Sequence, residues 1–373
     1  MLNDIMYVLN SFSIIWLITM FSGLFLGIIL KIKYKDTNFK IFAAITIIAI
    51  SVFAFNYEPT EQTDLFRLYE TIDTMRQTGG SFYNSNEIIT DILFTFVSKT
   101  DYNQLLPFIV SLIRYSIFFY LIYNFIKINN INGLLLNLYI FFSFAYFPLI
   151  ESISGVRYYL SITILNYALI TGFFFINKSI FNKILYFMPL FVHTSSSMFL
   201  ALRFLIVEKI YKFFKPFKYI ILFWAAFYRL FADILLWIGL NFTITASRML
   251  TFYIEEDRTI SLRLTIARFV LVIIIYSMFL ILKKSDNDEF IKNNQYYNFI
   301  ELVIFFTIGS IFFDVFFQRS VFFIALICMP LFFSFFNNKL INIKVRNTYF
   351  LMITILSLGM YMNQIYGVLV GYF

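Results

Sequence analysis

The side chains with chemistry to offer in this sequence are a few arginines, acids and one histidine, each set beside a long apolar run. Arg157 opens "GVRYYLSITILNYALITGFFF", Asp64, Arg67 and Tyr69 share "TDLFRLY", and His193 interrupts "FVHTSSSMFL". Arg248 and Arg258 lie within 241–262, and Asp314 precedes Arg319 around the end of another apolar run. A guanidinium matches phosphate oxygens through paired N–H donors, so arginines gathered at one face suit a phosphate or diphosphate. A carboxylate within reach of a hydroxyl suits general-base work, and Asp64 is the best placed for it.

Each residue also has a plainer reading. Arg157 could snorkel to an interface or pair with Glu151, and Asp64 could pair with Arg67 at i,i+3 along one helix. Arg319 and Arg248 carry the same choice between anion site and solvated charge, and Arg258 in "EEDR" is read as paired with its acidic neighbours. His193 alone reads as a hydrogen-bonded structural histidine, and adjacent serines do not make a catalytic triad, which is defined by geometry. Arg229 and Asp233, four apart, neutralise each other, and "DND" at 286–288 reads as a solvated turn. One histidine and one cysteine exclude the usual His/Cys zinc cluster and any internal disulfide. No metal or cofactor is implied.

What must position these groups is read from composition. Hydrophobic residues make up 61% of the chain and charged residues only 13%, with a mean hydropathy of +0.81. A soluble fold would have almost no polar surface to cover such a core, so the chain reads as an all-α polytopic membrane protein in a lipid bilayer. About ten spans are predicted, at 6–30, 39–55, 105–126, 131–150, 156–176, 217–240, 263–282, 297–317, 320–336 and 347–370. They form one transmembrane domain over residues 1–373. The first run is too long for a cleaved signal and lacks a basic leader, so it counts as a span. The net charge of +8 sits largely in short basic loops, which orient membrane proteins and give no argument for nucleic acid.

Orientation follows from those loops. "KIKYKDTNFK", "NKSIFNK", "EKIYKFFKPFK", "KKSDNDEFIKNN" and "NNKLINIKVRN" belong inside, and segment 56–104, with eight acidic residues against three basic, belongs outside. That outer segment is predicted to hold two amphipathic helices on the membrane face. In the first, Leu65, Leu68 or Tyr69, Ile72 and Met75 form the apolar stripe, and Gly79 and Gly80 end it. The second begins after Asn86. The run 184–207 is broken by Pro189 and "HTSSS". It is either a broken span or a re-entrant pair of half-helices, which would need a buried or watery lining.

Taken together these patches resemble the EpsG-like branch of the Wzy-type bacterial polysaccharide polymerases. "TDLFRLY" is similar to that branch's Asp-x-x-x-x-Tyr element, placing Asp64 and Tyr69. "GVRYYLSITI" is similar to its span-opening arginine motif, placing Arg157, with Tyr158 where a glutamine often follows. "VHTSSSMFL" resembles its His-x-Ser motif, placing His193 and Ser195. "QRSVFFIALICMPLFF" resembles the late arginine with an aromatic run and proline, placing Arg319 and Pro330, and "SRMLTFY" is a looser match placing Arg248 and Tyr253.

The resemblance implies glycosyl transfer at the outer face of the bacterial cytoplasmic membrane. Such enzymes move a growing glycan from undecaprenyl diphosphate onto one lipid-linked repeat unit, alongside a flippase and a chain-length regulator. It implies Asp64 or His193 as the base. Arg157, with Arg319 and Arg248, would hold the diphosphate, and Arg67, Tyr69 and Tyr158 belong with them to the diphosphate- and glycan-binding set. Two other classes stay open: a transferase adding single sugars from a lipid monophosphate, and a polysaccharide flippase, which would show internal pseudo-symmetry. A membrane acyltransferase with His193 as base is a third.

Overall fold

The computed structural model describes residues 36–61, 63–79, 87–129, 131, 133–147, 149–175, 180–223, 262–285, 294–311 and 313–370. Among these residues 87% are helical and none forms a strand, so the all-α expectation holds. The chain forms two compact units, Met1–Leu200 with Ser357–Phe373, and Ala201–Leu356.

The first unit contains α1 (Asp36–Phe55), α2 (Asp64–Thr78), α3 (Ile88–Ser98), α4 (Leu105–Asn129), α5 (Gly133–Tyr146), α6 (Leu149–Ser154), α7 (Val156–Phe174) and α8 (Ile180–Val192). After α8 comes a 3₁₀ turn, Thr194–Ser196, and then α9 (Ser197–Leu205), which starts in this unit. α4 is its central post: α1 and α7 pack along it, α3 and α6 meet it, and α8 packs on α7 and α3.

The apolar stripe of α2 is as the spacing predicts. Leu65, Leu68, Ile72 and Met75 are buried, Arg67 is exposed, and Gly79 closes the helix with φ +62° and its N–H on the Met75 carbonyl. Glycine holds that left-handed position without a Cβ penalty. The stripe does not lie on lipid, however. α2 packs against α3 and α6, so it is buried within the protein. One side-chain cluster ties its far end down: Arg76 donates to the Thr100 carbonyl (2.9 Å), Asn103 Oδ1 (2.6 Å) and Asp73 Oδ1 (2.5 Å), while Asn103 donates to Asp73 (2.9 Å). Because Asp73 and Arg76 are partly solvated, Arg76→Ala is expected to lower unfolding stability by about 1 kcal/mol, read by thermal unfolding in detergent.

A buried guanidinium sets the junction that carries Arg157. Arg114, 1% exposed within α4, lies over the Tyr115 and Phe147 rings at 4.5 and 5.3 Å. It donates to the Ser152 carbonyl (2.5 Å) and hydroxyl (2.7 Å). Ser152 lies in the last turn of α6, where carbonyls run short of helical donors and a cation is favoured. The next break, at Gly155, brings the Tyr159 ring so close that an added Cβ would meet it at 3.0 Å and the Glu151 carbonyl at 3.1 Å. α7 therefore starts at a fixed place, with Arg157 in its first turn.

The second unit holds the rest of α9, α10 (Glu208–Phe214), a 3₁₀ segment (Lys215–Phe223), α11 (Leu262–Lys284), α12 (Asn294–Gly309), α13 (Asp314–Ile327) and α14 (Met329–Asn337). α15 (Ile343–Val370) runs from this unit into the first. α11 packs against α12, α13 and α14, and α12 covers the 3₁₀ segment. There Lys218 meets Glu301 at 2.7 Å with both side chains largely buried, and Lys283 approaches the same carboxylate at 3.5 Å. A buried pair of this kind offsets its desolvation by geometry and adds little net stability.

Among the described residues two helices, Leu105–Lys127 and Arg263–Lys284, are long and apolar enough to cross a membrane, and α13 with α14, bent by 51°, would make a third. The expected ten spans are not confirmed. Residues 6–30 and most of 217–240 lie outside the described residues. The run 131–150 divides into α5, which ends at Tyr146, and α6, which begins at Leu149. The run 297–317 divides where α12 stops at Gly309 and α13 begins at Asp314. α13 and α14 divide at Cys328, just before Pro330. The expected break in 184–207 is present, at His193.

Candidate functional site

The N-terminal turn of α3, the first turn of α7 and the break after α8 meet at one group of side chains. Glu87 stands at the N-cap position of α3, but its carboxylate does not cap that helix. Oε2 lies 3.1 Å from Arg157 Nη1, and Oε1 lies 2.6 Å from His193 Nδ1 and accepts the Thr194 N–H at 3.4 Å. The other end of the guanidinium, Nη2, lies 3.4 Å from Asp64 Oδ1. Tyr158 follows Arg157 on α7, and its buried ring meets the imidazole edge-on with centroids 6.2 Å apart.

These groups form a gradient from inside to outside. Side-chain exposure rises from 11% for Glu87 to 18% for His193, 29% for Arg157 and 35% for Asp64. With a neutral imidazole the four groups sum to one negative charge, because one guanidinium faces two carboxylates. An ionised Glu87 requires the proton of the ring on Nδ1, so in the neutral tautomer the lone pair is on Nε2. That is the arrangement of a base oriented by a carboxylate, joined by an arginine to a second, outer carboxylate.

Burial pushes the Glu87 carboxyl up. The hydrogen bond from His193, the charges of His193 and Arg157 and the Thr194 amide outweigh it and hold the carboxyl below its ordinary value. A carboxyl depressed in the folded state stabilises fully above its unfolded value of 4.5, and that stability is lost as pH falls through the lower native value. Unfolding temperature is therefore expected to fall more steeply for the wild type than for Glu87→Gln between about pH 5 and pH 3. Parallel acid limbs would show that Glu87 gains nothing from its partners.

Comparison with protein-family models, with curated proteins and with solved structures finds no match. The site thus stands on its own geometry.

Of the residues singled out in the sequence, Asp64, Arg157, Tyr158 and His193 are brought together. Glu151 is not the carboxylate on Arg157; it accepts from the Tyr159 hydroxyl at 3.1 Å. Arg67 does not pair with Asp64 and is exposed. Tyr69 carries a buried hydroxyl without a hydrogen-bond partner, and burial together with neighbouring Tyr57 pushes it well above the usual phenol range. Ser195 sits in the 3₁₀ turn with its Oγ buried and unpartnered. Arg319 lies half-buried in α13 of the second unit. Arg248, Arg258, Arg229, Asp233 and the 286–288 triplet lie outside the described residues, as does Asn86.

The residue that sequence reasoning missed is Glu87. Its one signal was an acid directly ahead of an apolar periodic run, a place where a carboxylate ordinarily serves the helix terminus. Nothing local connects it to Arg157, 70 residues on, or to His193, 106 residues on.

Proposed function

We propose that this protein polymerises lipid-diphosphate-linked oligosaccharide repeat units by glycosyl transfer at the outer face of the bacterial cytoplasmic membrane. The observation carrying this reading is the convergence of two carboxylates from segment 56–104 with the arginine and histidine that the resemblance names. In the reaction the acceptor hydroxyl gives its proton to the base as its oxygen bonds to the anomeric carbon. The bond from that carbon to the lipid diphosphate breaks, and its electron pair leaves with the diphosphate. With the imidazole neutral, a site of net negative charge suits the positive character that develops at the anomeric carbon. Arg157, matched by two carboxylates, organises the acids. A partner set of lipid-linked glycans, flippase and chain-length regulator belongs to the same reading.

The two outer-segment carboxylates also favour a second reading, a transferase that adds single sugars from a lipid monophosphate. The lipid-linked glycan of a deletion strain separates the two. Under the polymerase reading it stops at one complete repeat unit, and complementation restores a ladder. An incomplete repeat unit would establish the single-sugar transferase instead.

A further inference from the structure

α8 ends at Val192 and helix resumes only at Thr194, with His193 between them in an extended conformation, φ −161° and ψ 124°. The last carbonyls of α8 therefore need donors from elsewhere. The Val192 carbonyl takes one from Thr90, whose Oγ reaches it at 2.8 Å from 102 residues away. Thr90 is 3% exposed and sits in the first turn of α3, three residues after Glu87. One short stretch, 87–90, thus holds three successive residues: Thr90 holds the Val192 carbonyl, and Glu87 holds the His193 ring and the Thr194 amide. On the other side Ser196 Oγ donates to the His193 carbonyl at 2.9 Å.

We propose that Thr90 is a positioning residue for His193. Two anchors on one rigid helical turn fix both the backbone that carries the imidazole and the nitrogen through which the ring is oriented. With the Thr90 anchor gone, a buried carbonyl loses its donor, and the backbone entering His193 turns to recover one. The ring then pivots about Glu87 alone, and Nε2 leaves the line along which it receives a proton. A displacement of this size slows a reaction without weakening binding. The role in catalysis rests on the reading of His193 as the base; the positioning itself does not.

The chain has one histidine, so protein labelled with ¹⁵N-histidine reports on this ring alone. In lipid nanodiscs at a pH where the imidazole is neutral the wild type is expected to show one tautomer, protonated on Nδ1. Thr90→Val, which keeps the shape and removes the hydroxyl, is expected to shift or split those ring signals. The same variant is expected to lower kcat for chain elongation roughly three- to tenfold with KM within about twofold. Thr90→Ser is expected to restore both. Ring signals of Thr90→Val identical to wild type would overturn the proposal. So would a Thr90→Ser variant as impaired as Thr90→Val, since the methyl group rather than the hydroxyl would then matter. Should the wild type elongate no glycan, the functional reading fails, and the ring signals still decide whether Thr90 positions the imidazole.

Discussion

His193→Ala is expected to lower the turnover of chain elongation by roughly 10²- to 10⁴-fold, with substrate affinity changed only a few-fold. The sequence leaves two bases open, Asp64 and His193, and the proposed function takes His193 on two observations. Asp64 is the outermost group of the cluster, and its one ion-pair contact, to Arg157, is the longest at 3.4 Å. His193 is more enclosed and is held at 2.6 Å by a carboxylate that selects its tautomer. Proton transfer in a transition state depends on such orientation, so under the proposed function the oriented imidazole is expected to carry the larger share. Asp64→Asn is expected to cost roughly tenfold or less, through the electrostatics of Arg157. Steady-state kinetics of the two variants decide the matter. A larger loss for Asp64→Asn than for His193→Ala would make Asp64 the base.

Glu87→Ala is expected to be the most damaging change for stability and activity together. It removes the partner of His193 and the closer of the two carboxylates on Arg157, and it frees the Thr194 amide. Breaking a largely enclosed set of charged hydrogen bonds costs roughly 2–3 kcal/mol, less than a fully buried pair because Arg157 retains solvent and Asp64. Activity should fall nearly as far as in His193→Ala, since the ring loses its orientation. The double variant Glu87→Ala/His193→Ala should then be little slower than either single one, because the two groups act as a unit. Additive losses in kcat would show that they act separately.

How far the sequence carried can be seen in α2 and in the site. The stripe Leu65, Leu68, Ile72 and Met75 and the stop at Gly79 are local facts of spacing and backbone freedom, and they are found as read. What the stripe faces is not local. α3 and α6 cover it where lipid was expected, because an apolar stripe is blind to whether protein or hydrocarbon lies against it. The break at His193 was legible from Pro189 and the polar run after it. The span count is not confirmed: apolar runs of similar hydropathy hide the divisions between Tyr146 and Leu149, after Gly309 and at Cys328, where one run becomes two shorter helices. In the site, residue type pointed to Asp64, Arg157 and His193. Glu87 and Thr90 stayed hidden because their partners are 70 to 106 residues away and each looks like an ordinary first-turn residue.

A deletion strain alone does not tell a polymerase from a flippase, since losing either leaves single repeat units. The central claim is therefore tested most directly with the purified protein in liposomes, supplied only with one complete lipid-diphosphate-linked repeat unit on the accessible face. Product length is read by gel and mass spectrometry. A ladder rising in whole repeat units is expected, with free lipid diphosphate released at each step and no ladder from His193→Ala. Repeat units that cross the bilayer unextended, or gain single sugars only when a lipid-monophosphate sugar is added, would contradict it.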